Sequence, residues 1–139
     1  MKNKFLLIIF ILCAIQTSKA QEETFNLTVN ISGLNSSDGN LLVGIYNKKE
    51  SFLKKPIKST IVKIENKKAL ILFTNLPKGI YAVSFVHDEN DNKKMDTNFI
   101  GIPTEDYGCS NNATGFMGPP KYKDAQFVLQ EDKIIEINI

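Results

Sequence analysis

The chain has 139 residues, 42% of them hydrophobic, with 17 basic residues set against 15 acidic ones. Every basic residue is Lys, and the absence of Arg, whose forked guanidinium reads phosphates and base edges, argues against a nucleic-acid partner. The length suits one domain with a real hydrophobic core, and a single His excludes any metal site built on two imidazoles.

The chain begins MKNKFLLIIFILCAIQTSKA, a basic start, an uncharged apolar run and a small-residue ending at Ser18-Lys19-Ala20. This pattern predicts an export signal over residues 1–20, too short and wrongly flanked for a membrane span. Leu12 before Cys13 departs from the small residue that precedes a lipidated Cys. Cleavage would leave residues 21–139 as a single domain, periplasmic or secreted, with 14 Lys against 15 acidic residues and Cys109 as its lone thiol. No internal disulfide is then available, and stability must come from the core or a bound ion.

From Phe25 onward, period-two alternation dominates. Phe25, Leu27, Val29 and Ile31 share one face of a half-buried strand. A turn cluster, Asn35 to Gly39, leads into GNLLVGIYN as the returning strand. STIVKIE alternates again and Asn66-Lys67-Lys68 is expected to turn it into ALILFTNL, a more central strand. Leu76-Pro77-Lys78-Gly79 turns the chain into IYAVSFVHD, and AQFVLQ with KIIEINI is expected to close it as a pair. About seven strands at these spacings predict an all-β fold, a single antiparallel two-sheet sandwich of prealbumin-like type. Asn90 to Lys121 is a long polar segment holding Phe99, Ile100, Ile102, Tyr107, Phe116 and Met117. So many apolar residues predict an ordered loop, with Phe116 and Met117 packed against the domain they cover.

The stretch HDENDNKKMD places side-chain oxygens at Asp88, Asn90, Asn92 and Asp96, with Lys94 able to offer its backbone carbonyl between them. Ligands at alternate positions of a tight curl can converge on a hard, oxygen-seeking cation, and this pattern makes calcium the candidate cofactor. Three features depart from a helix–loop–helix calcium hand: a strand enters the loop, Phe99 replaces the closing Glu, and Lys93 occupies the sharp-turn position usually given to Gly. Glu105 or Asp106 is the natural residue to complete the shell, and affinity is expected on the order of 0.1 to 1 mM. The competing reading is equally simple. Asp and Asn favour turns because they bond to nearby backbone amides with no ion present.

LPKGIYAVSFVHDENDN, Asp96, FIGIPTEDYGCSNNA and GPPKYKDAQF, in that order, resemble a family of small exported bacterial proteins, domain-of-unknown-function family 2141. The resemblance runs from about Phe25 to Ile139 and implies an exported sandwich without an established activity. The family's usual Asn-Gly is Asn92-Lys93 here, and its usual aromatic after Tyr107-Gly108 is Cys109.

No convergent acid, base and nucleophile can be read from the chain, so no catalytic residue is assigned. A Cys109–His87 dyad or a Ser110–His87–Asp88 triad can be written down, but neither has a surrounding motif. The expected role is an exported binding or structural module, monomeric, with a protein or glycan partner. An alternative is a carbohydrate- or peptide-binding module that uses Tyr107, Phe116 and Tyr122 of the end loop.

Overall fold

A computed structural model describes residues 22–139; the expected export signal lies outside the described residues. Eight strands form in chain order: β1 (Thr24–Ser32), β2 (Asn40–Tyr46), β3 (Lys58–Lys63), β4 (Lys68–Pro77), β5 (Gly79–Asp88), β6 (Tyr107–Cys109), β7 (Phe127–Leu129) and β8 (Lys133–Asn138). One sheet runs β4-β1-β8; the other runs β3-β2-β5-β6, with β7 also paired to β5. The two sheets pack through one core, the inward face of β1 (Leu27, Val29, Ile31) meeting that of β2 (Leu41, Val43, Ile45). The expected all-β, two-sheet fold is therefore present.

The pairing differs from the expected chain of hairpins. β1 and β2 lie in different sheets, as do β3 and β4, β4 and β5, and β7 and β8. The turn at Asn66-Lys67 does form, with both residues left-handed (φ 52° and 60°) and Glu65 paired to Lys68. After that single rung the arms diverge, because β3 is an edge strand on β2 while β4 runs along β1. A local turn fixes a reversal of direction; burial of the flanking strands decides which sheet each joins.

β8 does not pair with β7. It lies parallel to β1, Leu27 opposite Lys133 and Ser32 opposite Asn138, the one parallel ladder among the described residues. Polar residues on the outer face of β1 meet β8 or the turn before it: Asn30 Nδ2 donates to Glu136 Oε1 (2.7 Å), and the Asn26 amide donates to Asp132 Oδ1 (2.7 Å).

The central strand β5 is buried on both faces. Its second face carries Ala82, covered by a smaller cluster of Tyr46, Phe52, Cys109 and Ala125. Part of the long polar segment supplies this cover. β6 pairs with Ser84–Val86, and a helical turn, α1 (Tyr122–Ala125), packs beside it. Ser110 pins the arrangement: its Oγ accepts from the Val83 amide (2.9 Å) and donates to the Ala125 carbonyl (2.5 Å). The expected packing of the segment's apolar tips does not occur. Phe99, Phe116 and Met117 are 99%, 94% and 93% exposed, because tight turns project them away from the sheets.

Candidate functional site

The acidic loop leaves the end of β5, where Asp88 is fully buried. Such a carboxylate must be satisfied locally, and the curl of the chain does it. Oδ1 accepts from the Asn92 amide (3.0 Å) and Oδ2 from the Lys93 amide (2.7 Å). Asn90 Oδ1 also reaches the Asn92 amide (3.0 Å), so the Asp88 and Asn90 oxygens converge on one N–H. From the far side, Asp96 receives Asn90 Nδ2 on one oxygen (2.5 Å) and Asn92 Nδ2 on the other (2.8 Å).

The side-chain ends of Asp88, Asn90, Asn92 and Asp96 are thus gathered in one place. Lys94 joins through its amide, which donates to Asn92 Oδ1 (2.9 Å). Glu105 stands one step back: its carboxylate accepts from the Asp96 amide (2.9 Å) and the Glu89 amide (3.3 Å), and so ties both ends of the loop together.

The backbone carries the cost of this curl. Asp91 and Lys93 both take left-handed conformations, φ 56° and 62°. Lys93 holds the position where a calcium curl normally uses Gly, and a side chain there is strained by about 1 kcal/mol. Lys93→Gly should therefore raise the unfolding free energy by about 0.5 to 1 kcal/mol, read as a higher denaturant midpoint at unchanged slope.

A second wall, which the sequence did not point to, comes from the β1–β2 connection. Antiparallel pairing of β2 with β5 sets Asn40 opposite Asp88, and this register brings residues 35–40 beside the loop. Asn40 Nδ2 donates to Asp91 Oδ1 (2.9 Å), Ser36 Oγ to Glu89 Oε1 (2.9 Å) and Asn35 Nδ2 to Asp106 Oδ2 (2.7 Å). Gly39 is left-handed at φ 67°, and a Cβ there would lie 1.9 Å from the Asp88 carbonyl oxygen. The turn composition of Asn35 to Gly39 was the available signal; its closeness to Asp88 depends on strand register.

His87 is fully buried, its Nε2 2.9 Å from the Asp38 carbonyl. Its Nδ1 has no hydrogen-bond partner and faces Asp106 and Glu89 at 3.9 and 4.0 Å. Neither of the catalytic pairings considered from sequence has support in this geometry. Cys109 pairs in register with Ser84, three residues from His87 along β5, and Ser110 is committed to backbone partners. Burial pushes the Cys109 thiol up to about 12. Cys109 should consequently resist a thiol-specific reagent at pH 8 in the native protein and react fully in denaturant.

The aromatic candidates occupy different settings. Tyr107 lies on β6 and is 40% exposed, while Phe116 stands almost free of the protein. Tyr122 is committed to an edge-on contact with Phe52, ring centres 5.6 Å apart, and its hydroxyl donates to the Ile80 carbonyl (3.3 Å). Among the described residues, no three His, Cys, Asp or Glu side chains form a ready metal cluster, and no helix is long and apolar enough to cross a membrane. The oxygen set of the loop is different in kind, since Asn side chains supply half of it.

Fold and site together define a two-sheet β-sandwich with an Asp- and Asn-rich curl at the end of its central strand. The sequence model of a family described as an uncharacterized protein conserved in bacteria (DUF2141) matches residues 29–137. The chain belongs to that family. Neither the curated proteins nor the solved structures contain a match.

Proposed function

We propose that the chain is an exported binding or structural module, without a catalytic role, whose loop from Asp88 to Glu105 takes a calcium ion. The observation that carries this reading is the convergence of Asp88, Asn90, Asn92 and Asp96 in one hydrogen-bonded group. The donors are hard oxygens, with no thiolate or imidazole in the group. Each Asn amide can turn by half a rotation and present oxygen in place of nitrogen, giving up the backbone N–H that its oxygen now accepts (Asn92 for Asn90, Lys94 for Asn92), so the amides now on Asp96 become ligands where a cation's pull outweighs those bonds. Asp88 keeps its two backbone bonds and still has lone pairs to share. Left-handed Lys93 gives the curl the turn that calcium loops use at that position.

Thermal unfolding tests this directly. With affinity on the order of 0.1 to 1 mM, adding about 5 mM calcium to chelator-treated protein should stabilise it by about 1 to 2 kcal/mol. The melting temperature should rise by several degrees, and Asp96→Asn should abolish the rise. An unchanged melting curve at that concentration would overturn the calcium reading and leave the loop as a self-bonded turn.

A further inference from the structure

Among the described residues, one buried side-chain polar atom lacks a hydrogen-bond partner, Nδ1 of His87. Its chemistry follows from the other ring nitrogen. Nε2 lies 2.9 Å from the Asp38 carbonyl, which can only accept, so Nε2 carries a proton and the neutral ring presents a bare lone pair at Nδ1. That lone pair faces two carboxylates, Asp106 Oδ2 at 3.9 Å and Glu89 Oε1 at 4.0 Å. Three electron-rich atoms gathered round one gap repel each other unless something positive stands between them.

The surroundings hold all three groups in place. His87 is fully enclosed, and the Asp38 carbonyl fixes its ring in the way that imidazoles on metals are fixed through their second nitrogen. Asp106 is locked opposite it, since the His87 amide donates to the Asp106 carbonyl (2.8 Å). From the β1–β2 connection, Asn35 Nδ2 donates to the same Asp106 oxygen (2.7 Å) and Ser36 Oγ to the same Glu89 oxygen (2.9 Å). A carboxylate oxygen so engaged keeps a further lone pair for a second partner.

We propose that His87 Nδ1, Glu89 and Asp106 form a site for a divalent transition cation such as zinc, with water completing the shell. One imidazole nitrogen and two carboxylates suit that class, whereas calcium takes oxygens alone. No side chain is shared with the group that carries the calcium reading, Asp88, Asn90, Asn92 and Asp96, so each site stands or falls by itself. Nitrogen and oxygen on a tetrahedral zinc lie about 3.4 Å apart, so both carboxylates must close on Nδ1 by about 0.5 Å. That gap is why the three are not a ready-made cluster. The Glu89 side chain is 49% exposed and that of Asp106 28%, which leaves both room to move without disturbing the core.

The test is titration of tag-free, chelator-treated protein with zinc in excess calcium, followed by calorimetry and by the imidazole nitrogen signals in NMR. The chain has a single His, so those signals report His87 without background. The expected results are equimolar zinc binding, a shift of the Nδ1 resonance, and affinity lower by at least about tenfold in each of Glu89→Gln and Asp106→Asn. Both variants keep the side-chain shape and an oxygen to accept from Ser36 and Asn35. They should melt close to the parent, so a loss of binding cannot be blamed on unfolding. Asp96→Asn should bind zinc as the parent does, whatever becomes of its calcium response. No zinc binding overturns the proposal. So does binding that leaves the His87 signals unmoved, or binding that Asp96→Asn abolishes while Glu89→Gln and Asp106→Asn retain it.

Discussion

Replacing Asp88 with Ala is expected to lower the unfolding free energy by about 2 to 4 kcal/mol, with a fall in melting temperature on the order of 10 °C. The carboxylate is wholly buried and each oxygen holds a backbone amide, from Asn92 and from Lys93. Hydrogen bonds to a charged acceptor are worth about 1.5 to 3 kcal/mol each, and both are lost together. The figure stays below their sum because the freed amides belong to exposed residues and can turn to water. Asp96→Ala makes the contrast. Its carboxylate is partly exposed and bonds mainly to side-chain amides, so about 1 kcal/mol is the expected loss. Equal losses at the two positions, measured by urea unfolding, would show that Asp88 does not organise the curl.

Gly39→Ala should be at least as damaging although Gly39 carries no chemistry. Its left-handed φ of 67° disfavours any side chain, and the added methyl would sit 1.9 Å from the Asp88 carbonyl oxygen and 2.7 Å from the Glu89 Cα. Conformational strain of about 1 to 2 kcal/mol and overpacking of about 1 to 3 kcal/mol give an expected loss of about 2 to 5 kcal/mol. The displaced atoms are backbone at the mouth of the loop, so any calcium response should weaken in the same variant. Gly101→Ala is the control, since its φ is similarly positive at 82° but nothing lies within contact of a Cβ there. It should lose only the strain. A Gly39 variant no worse than the Gly101 variant would mean that the β1–β2 connection does not press on the site.

The strands were legible where alternation was long. β1, β2, β4 and β5 each run seven residues or more with at least one face buried, and their inward apolar positions read directly from the sequence. Pairing was not legible, because it depends on which edges are free once all the strands exist. The β1–β8 ladder joins residues 106 positions apart, and nothing near Lys133 announces Leu27. β6 escaped notice because Tyr107-Gly108-Cys109 is too short to show a period. Within the loop, the side chains spaced from Asp88 to Asp96 bond to one another and to the backbone. The partners from Asn35 to Asn40 were hidden because only the register of β2 against β5 delivers them. Apolar content misled at Phe116 and Met117: composition argues for burial, whereas the Gly115–Gly118 turn faces those residues outward.

The parallel ladder between β1 and β8 also sets a timetable. Synthesis delivers β1 near the beginning of the described chain and its neighbour on one side only at the very end. Until Ile137 arrives to fill its place in the core, that flank of β1 stays an open template for strangers. A protein wired in this way gains little by folding as it emerges, and its sandwich is completed in one late step, when the last described strand closes against the first.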